Sequence, residues 1–325
     1  MMKYKCAMAE DIENMIALKA ATNFSEETYK SRAKEFDAFC AERFPKETLI
    51  TESLSMAWAN DALESKNRNA AHSRIAFIRL LGTYQKAIGK KNVYIPPVAM
   101  LSGQTLFMPY IFTDKELSAL FNEIDSYQSK SSLDAISFST YFRLTYTCGL
   151  RPQEGRLIKR ADVIMESGEI RILNSKWHKS RMVVMSEDMM HLMARYLAIR
   201  DMAFPDSEYL FPARSDGPYT AARMQSSFKK FFELSCPDIP KELLPAVRVY
   251  DLRHRFATAV LHKWIDQGCD IQAKLPYLQV YMGHKNMQST AYYIHLLPEN
   301  LTKTANIDWE SLNAIVPEVE AWEEE

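Results

Sequence analysis

Val249-Tyr250-Asp251-Leu252-Arg253-His254-Arg255-Phe256-Ala257-Thr258 is the stretch from which the rest of the chain is best read. It begins as a short exposed turn and becomes a helix. Asp251 can cap that helix by accepting a hydrogen bond from a free backbone N–H of its first turn. Behind it, Phe256, Val260, Leu261 and Trp264 recur at three- and four-residue spacing, the mark of a buried helix face. Arg253 therefore lies in the first turn of a packed helix. A guanidinium beside a helix N-terminus is a good seat for a phosphate. Taken alone, the stretch is equally a helix with a solvated basic start.

Three further stretches change the reading. They are Gly149-Leu150-Arg151-Pro152-Gln153-Glu154, then Lys176-Trp177-His178-Lys179-Ser180-Arg181, then Met282-Gly283-His284-Lys285 followed by Tyr293. In this order the chain resembles the tyrosine recombinase (phage integrase) family. That family carries an arginine in a G-L-R-x-x-E motif, a lysine on a β-hairpin, an H-x-x-R motif and a G-H motif. A tyrosine follows nine residues after the last histidine, and residue 293 is that tyrosine.

Composition bounds the rest. A length of 325 residues suggests two domains, and a hydrophobic share of 47% is ample for their cores. No apolar run reaches the roughly 18 residues of a membrane span. The start, Met-Met-Lys-Tyr-Lys-Cys, has no apolar signal core, so a cytoplasmic protein is expected. Cys6, Cys40, Cys148, Cys236 and Cys269 are scattered and form no C-x-x-C pair. Neither a metal site nor a disulfide framework is expected. The net charge of −1 hides an uneven distribution. Residues 308–325 hold seven acids and no Lys or Arg, so residues 1–307 carry +6. Lys66, Arg68, Arg74, Arg79, Lys86, Lys90 and Lys91 crowd one stretch, which can make a local phosphate-binding face.

Along the chain, residues 8–21 read as a helix with Ile12, Met15, Ile16 and Leu18 apolar. A small helical domain spans 22–91. Its second helix turns Tyr29, Ala33, Phe36 and Phe39 inward, its third carries Trp58, and its fourth buries Ile75, Ile78, Leu81 and Tyr84. Arg68, Arg74 and Arg79 are expected on the outer face of that last helix. Pro96, Pro97, Ser102-Gly103 and Pro109 break any long helix, so 92–112 reads as a linker. Thr113-Asp114-Lys115-Glu116 is a capping box that opens a second domain, 113–307. Helices at 114–126 and 134–148 come first, with Gly149 suited to a helix end and Pro152 to a helix start. Short strands near 163–165, 169–173 and 181–185 follow, with Ser167-Gly168 as a turn. Helices then cover about 187–203, 219–235, 251–267, 271–282 and 288–296. The fold class is mainly α with a small β-sheet. An acidic tail, 308–325, carries Trp309, Leu312, Ile315, Val316, Val319 and Trp322.

The resemblance implies a helical core-binding (SAM-like) domain followed by the family's catalytic domain. It implies a site-specific DNA recombinase or integrase, of a mobile element or a chromosome-dimer system, acting on double-stranded DNA. Strands would be cut and rejoined through a 3′-phosphotyrosyl link and a Holliday junction, with no metal, ATP or cofactor. Arg151 and Arg253 match the family's phosphate-binding arginines, His284 its third phosphate ligand and Tyr293 its nucleophile. Lys176 matches the general acid for the leaving 5′ oxygen. Glu154 would orient Arg151, while the nearby Lys179 and Arg181 read as DNA-backbone contacts or solvated charges. Lys66, Arg68, Arg74 and Arg79 are the candidate DNA contacts of the first domain. The first helix would contact a neighbouring protomer. The tail either packs on its own catalytic domain or, as the resemblance implies, docks on a neighbouring protomer in a DNA-bound homotetramer. Accessory DNA-bending proteins are further candidate partners.

One departure stands out. The family usually has histidine where this chain has Tyr250. A free phenol titrates at about 10, so Tyr250 suits hydrogen bonding to phosphate better than accepting a proton. His254, one residue past Arg253, is expected to point away from the site. A DNA-binding protein that kept the fold and lost the chemistry is the alternative that Tyr250 raises.

Overall fold

The computed structural model describes residues 4–297 apart from 23, 25, 65–67, 102–107, 129–131, 174–179 and 214–216. Two units result, one up to residue 107 and one from residue 108 on.

The first unit is built from α1 (Ala9–Ala21), α2 (Glu26–Arg43), α3 (Glu52–Glu64) and α4 (Arg68–Ala87). Its core is aromatic. Phe36 meets the edge of Trp58 at 4.8 Å, and Phe77 closes on both rings. The sequence places Ile12, Met15 and Ile16 on one stripe of α1, and that stripe is buried here, against α2 and α4. The apolar face of α1 is therefore used inside its own unit, not kept for another protomer. Buried Asp11 fastens the helix through an ion pair with Lys90 at 2.7 Å and a hydrogen bond from Gln85. Residues expected in the linker also return to this unit, since Tyr94 N–H donates to the Ile50 carbonyl at 2.9 Å.

Of the basic residues expected on the outer face, Arg74 turns inward. Its Nη1 donates to the Trp58 carbonyl at 2.8 Å and to Asp61 at 2.7 Å. Its guanidinium lies 5.3 Å from the Trp58 ring centroid. A cation with a flexible stem settles on an aromatic face when a carboxylate stands beside it, which sequence spacing does not show. Arg79 is half-buried. Lys66 and the side chain of Arg68 lie outside the described residues.

The second unit opens with α5 (Asp114–Ser126), whose capping box forms as expected. Thr113 Oγ1 accepts from Glu116 N–H at 3.2 Å and Glu116 accepts from Thr113 N–H at 2.7 Å. α6 (Ser132–Thr147) is the central helix, packed on α8 (Glu187–Ala203) and α10 (Val249–Asp266). Phe138, Phe142, Phe228 and Phe231 fill the core between α6 and α9 (Ala221–Leu234). β1 (Val163–Ile164), β2 (Glu169–Ile172) and β3 (Arg181–Val184) form an antiparallel sheet in that order. Val163, Ile170 and Val183 pair across it and are all buried, so one sheet face closes the core. α11 (Ile271–Met282) and α12 (Gln288–His295) pack with α10 around Leu261, Leu275, Leu278 and Ile294. Among the described residues, no helix is long and apolar enough to cross a membrane.

Two glycines explain themselves. Gly149 ends α6 with φ +58, a left-handed conformation that costs other residues about 1 kcal/mol or more. A Cβ there would stand 2.4 Å from the Phe256 ring of α10. Gly283 ends α11 with φ +68 and leaves room for the Arg181 guanidinium, 3.1 Å from where its Cβ would be. Gly149→Ala adds backbone strain to a forced shift of Phe256. It should lower unfolding stability by about 2 kcal/mol or more, read as an earlier denaturant midpoint. An unchanged midpoint would show that the ring yields freely.

Candidate active site

Four motif residues converge, and each is placed by a local rule. Arg151 is the N-cap of the short helix α7 (Pro152–Leu157), which has proline at its first position. Glu154, at the third position, accepts from the backbone N–H of Arg151 at 2.8 Å and from its Nη1 at 2.7 Å. Arg151 Nη2 donates to the Gly283 carbonyl at 2.9 Å. The G-L-R segment and the G-H segment are thus tied by one guanidinium.

α10 starts two residues earlier than the sequence suggests, with Arg248 as N-cap. Asp251 acts from the third helical position, accepting the Arg248 N–H at 2.7 Å while fully buried. Arg253 then lies one turn inside the helix and is wholly buried. Its Nη1 donates to the Gly149 carbonyl at 2.6 Å and its Nη2 to the Met282 carbonyl at 2.7 Å. The same Nη2 stands 3.0 Å from His284 Nε2. On the other side of that ring, Nδ1 is 2.8 Å from Thr290 Oγ1. Tyr293, on α12, is 3% exposed. Its ring stacks on His284 at 5.9 Å with an interplanar angle of 19°.

Arg181 departs most from its expected role. The sequence suggests a DNA-backbone contact or a solvated charge, yet both its Nη atoms donate to Glu154, at 2.8 and 2.7 Å, and its Nε to the Tyr281 carbonyl at 2.8 Å. Glu154 therefore sits between two guanidiniums, and Arg181 locks the start of β3 to the active-site floor. A buried carboxylate needs such partners, and this pairing consumes the arginine.

His254 also differs from expectation. It points toward Tyr293, its ring 5.6 Å from that of Tyr293 and 5.0 Å from that of Tyr250. A step of four residues puts it on the same helix face as Tyr250, and α12 approaches that face. Among the described residues its buried Nδ1 meets no hydrogen-bond partner. Arg248 lies over the Tyr250 ring, its guanidinium 5.9 Å from the ring centroid. Tyr292 sits beside Tyr293 with ring centroids 6.2 Å apart. Lys176 and Lys179 lie outside the described residues.

The electrostatics follow from burial and three guanidiniums. Burial raises the Glu154 carboxyl, but Arg181, Arg253 and Arg151 overcome it and hold it well below the carboxylate range. Burial, then Arg253, Arg151, Arg181 and His254, pushes His284 down to about 2. Burial with Arg248 and Arg253 pushes His254 down to about 3. Both imidazoles are neutral at pH 7. Burial lifts the Tyr293 phenol above its ordinary value, while Arg253 and Arg151 pull against that rise and Tyr250 adds to it. The phenol, two arginines and Tyr250 therefore act on one another electrostatically. The described residues hold no group of three metal-ligating side chains. Fixed cations and a buried hydroxyl are the equipment for nucleophilic attack on an anionic centre.

The model of the phage integrase family matches residues 111–300. A protein of Sinorhizobium fredii assigned as an integrase/recombinase is 31% identical over 57% of this chain and 59% of its own. The tyrosine recombinase XerC of Staphylococcus saprophyticus is 26% identical over 88% of this chain and 92% of its own. Among solved structures, the XerH site-specific recombinase bound to a palindromic difH substrate has a TM-score of 0.64 at 19% identity. That match covers 88% of this chain and 80% of the XerH chain. With the family model covering more than half the sequence, the chain belongs to the phage integrase family, the tyrosine recombinases.

Proposed function

We propose that this tyrosine recombinase binds a duplex recombination site and cuts one strand by attack of the Tyr293 phenol on the scissile phosphate. A bond forms between the phenol oxygen and phosphorus, and the bond to the 5′ oxygen breaks. The DNA keeps its 3′ end on the enzyme as a phosphotyrosyl ester, so rejoining by another 5′ hydroxyl needs no ATP. Arg151 and Arg253 donate to the non-bridging oxygens, where charge grows in the transition state. His284 is the third phosphate ligand and Tyr250 adds a hydrogen bond. Glu154, braced by Arg181, positions Arg151. Lys176 protonates the leaving oxygen, by its match to the family's hairpin lysine. The observation that supports this reading best is Tyr293 buried against His284, its phenol under the influence of Arg253 and Arg151.

The wider reading rests on the same chemistry. Pairwise strand exchange passes through a Holliday junction on a DNA-bound homotetramer. Residues 308–325 dock on a neighbouring protomer, and DNA-bending proteins assist. The enzyme works in the cytoplasm, and Lys66, Arg68 and Arg79 help hold the duplex.

Covalent trapping tests the chemistry. The protein is mixed with nicked duplexes tiled from the ends of its host element and run on a denaturing gel. A protein–DNA adduct that survives denaturation is expected, with residue 293 as the modified position. Tight binding of one duplex with no adduct from any of them would favour a DNA-binding protein without strand cleavage.

A further inference from the structure

The hydrogen-bond geometry at His284 fixes where its protons can go. Arginine has donors only, so the contact between Arg253 Nη2 and His284 Nε2 is possible in one sense: Nε2 accepts. The single proton of the neutral ring is then on Nδ1, and it is donated to Thr290 Oγ1. Thr290 is completely buried, on the first turn of α12 and three residues before Tyr293. The reverse tautomer would set an Nε2–H against an arginine N–H at 3.0 Å. This arrangement has a consequence for phosphate binding. A neutral ring whose Nε2 accepts from Arg253 offers no donor to an anion there. To become a phosphate donor it must gain a proton on Nε2, next to the site where the negative charge arrives.

We propose that Thr290 is a positioning residue: by holding the Nδ1–H of His284, it commits Nε2, the nitrogen facing the arginines, as the one that takes up a proton when the scissile phosphate binds. The groups facing the ring agree with this. Arg253, Arg151 and Arg181 and the neighbouring His254 disfavour the imidazolium in the DNA-free protein. Tyr293 covers one ring face and is neutral. A phosphate anion among these guanidiniums offsets their charge and makes the protonated ring affordable. Without the Thr290 hydroxyl, Nδ1 loses this partner and the ring is free to flip or change tautomer.

The inference rests on His284 being a phosphate ligand, and the test separates the two. Thr290→Val keeps the shape and removes the acceptor, while Thr290→Ser keeps the hydroxyl. Partners of a functional imidazole's second nitrogen are commonly worth about 10–100-fold. Single-turnover cleavage of a saturating nicked duplex should therefore slow about tenfold or more in Thr290→Val and recover in Thr290→Ser. In a His284→Asn background, Thr290→Val should cost nothing further, because both act through one ring. In the ¹⁵N spectrum of labelled histidine, DNA-free wild type should show a protonated Nδ1 and a bare Nε2, and Thr290→Val a mixture. Retention of the pure Nδ1–H tautomer in Thr290→Val would overturn the proposal whatever the kinetics. So would an equal Thr290→Val defect with and without His284. If His284→Asn cleaves at the wild-type rate, the phosphate-ligand reading of His284 fails instead, and the ¹⁵N spectrum still decides whether Thr290 sets the tautomer.

Discussion

Tyr293→Phe is expected to abolish the covalent protein–DNA product, with duplex binding kept within a few fold of wild type. On the proposed mechanism, the substitution deletes the single atom that attacks phosphorus and leaves the ring. That ring fills the space between His284 and His254, at 5.9 and 5.6 Å, so Phe should preserve both contacts and the packing of α12. Tyr292 is the next residue on the helix and so projects about 100° around the axis. Tyr292→Phe should accordingly cleave as wild type does. Tyr250 is the more serious rival, since it and Tyr293 influence each other electrostatically next to Arg253. An adduct that persists in Tyr293→Phe but disappears in Tyr250→Phe would move the nucleophile to α10. An adduct that persists in all three single variants would sink the phosphotyrosyl mechanism as drawn.

The parts of this site legible in the sequence are those fixed by local rules. Gly149 and Gly283 stand where helices end in the left-handed region, and Arg151 comes two residues after the first. Arg253 falls one turn inside α10, and the nine-residue step from His284 to Tyr293 spans one short connection and two turns of α12. What could not be read depends on which elements meet in space. Arg181 looks like any hairpin cation until α7 brings Glu154 against it. His254 looks misdirected until α12 approaches its face of α10. Thr290 has no signature at all, being an ordinary small polar residue in a helix. The same holds for α1, whose apolar stripe was recognised but whose partner was not. A stripe of Ile12, Met15 and Ile16 says that something covers it, and only the fold says that α2 and α4 do.

The second large effect concerns acid. His254 and His284 titrate at about 3 and about 2 when folded, far below the roughly 6.5 of an unfolded histidine. Below pH 6.5 the unfolded chain therefore binds more protons than the folded one. Stability is intact above that value and falls as pH drops toward the folded values. Each such proton is worth about 1.4 kcal/mol per pH unit, so the pair should cost about 2.7 kcal/mol per unit between about pH 6 and 3.5. Glu154 works in the same direction but later. Burial raises its carboxyl and the three arginines more than reverse this, so its contribution is present above about 4.3 and is lost as pH falls below. Urea unfolding of the full chain at stepped pH measures the slope. His254→Asn and His284→Asn should each remove about one proton's worth, and the difference from wild type isolates this unit from the first. Slopes that match wild type in both variants would mean that the imidazoles gain protons without unfolding, and hence that water reaches them. That outcome would also weaken the picture of a sealed site. On the proposed mechanism, the guanidiniums that seat the phosphate add to burial, the larger cause, in keeping His284 neutral, so affinity for an anion and sensitivity to acid share a contributor. A bound duplex that neutralises those guanidiniums should therefore shift the acid midpoint downward, by relieving the electrostatic cost of protonating His284 while the protein stays folded.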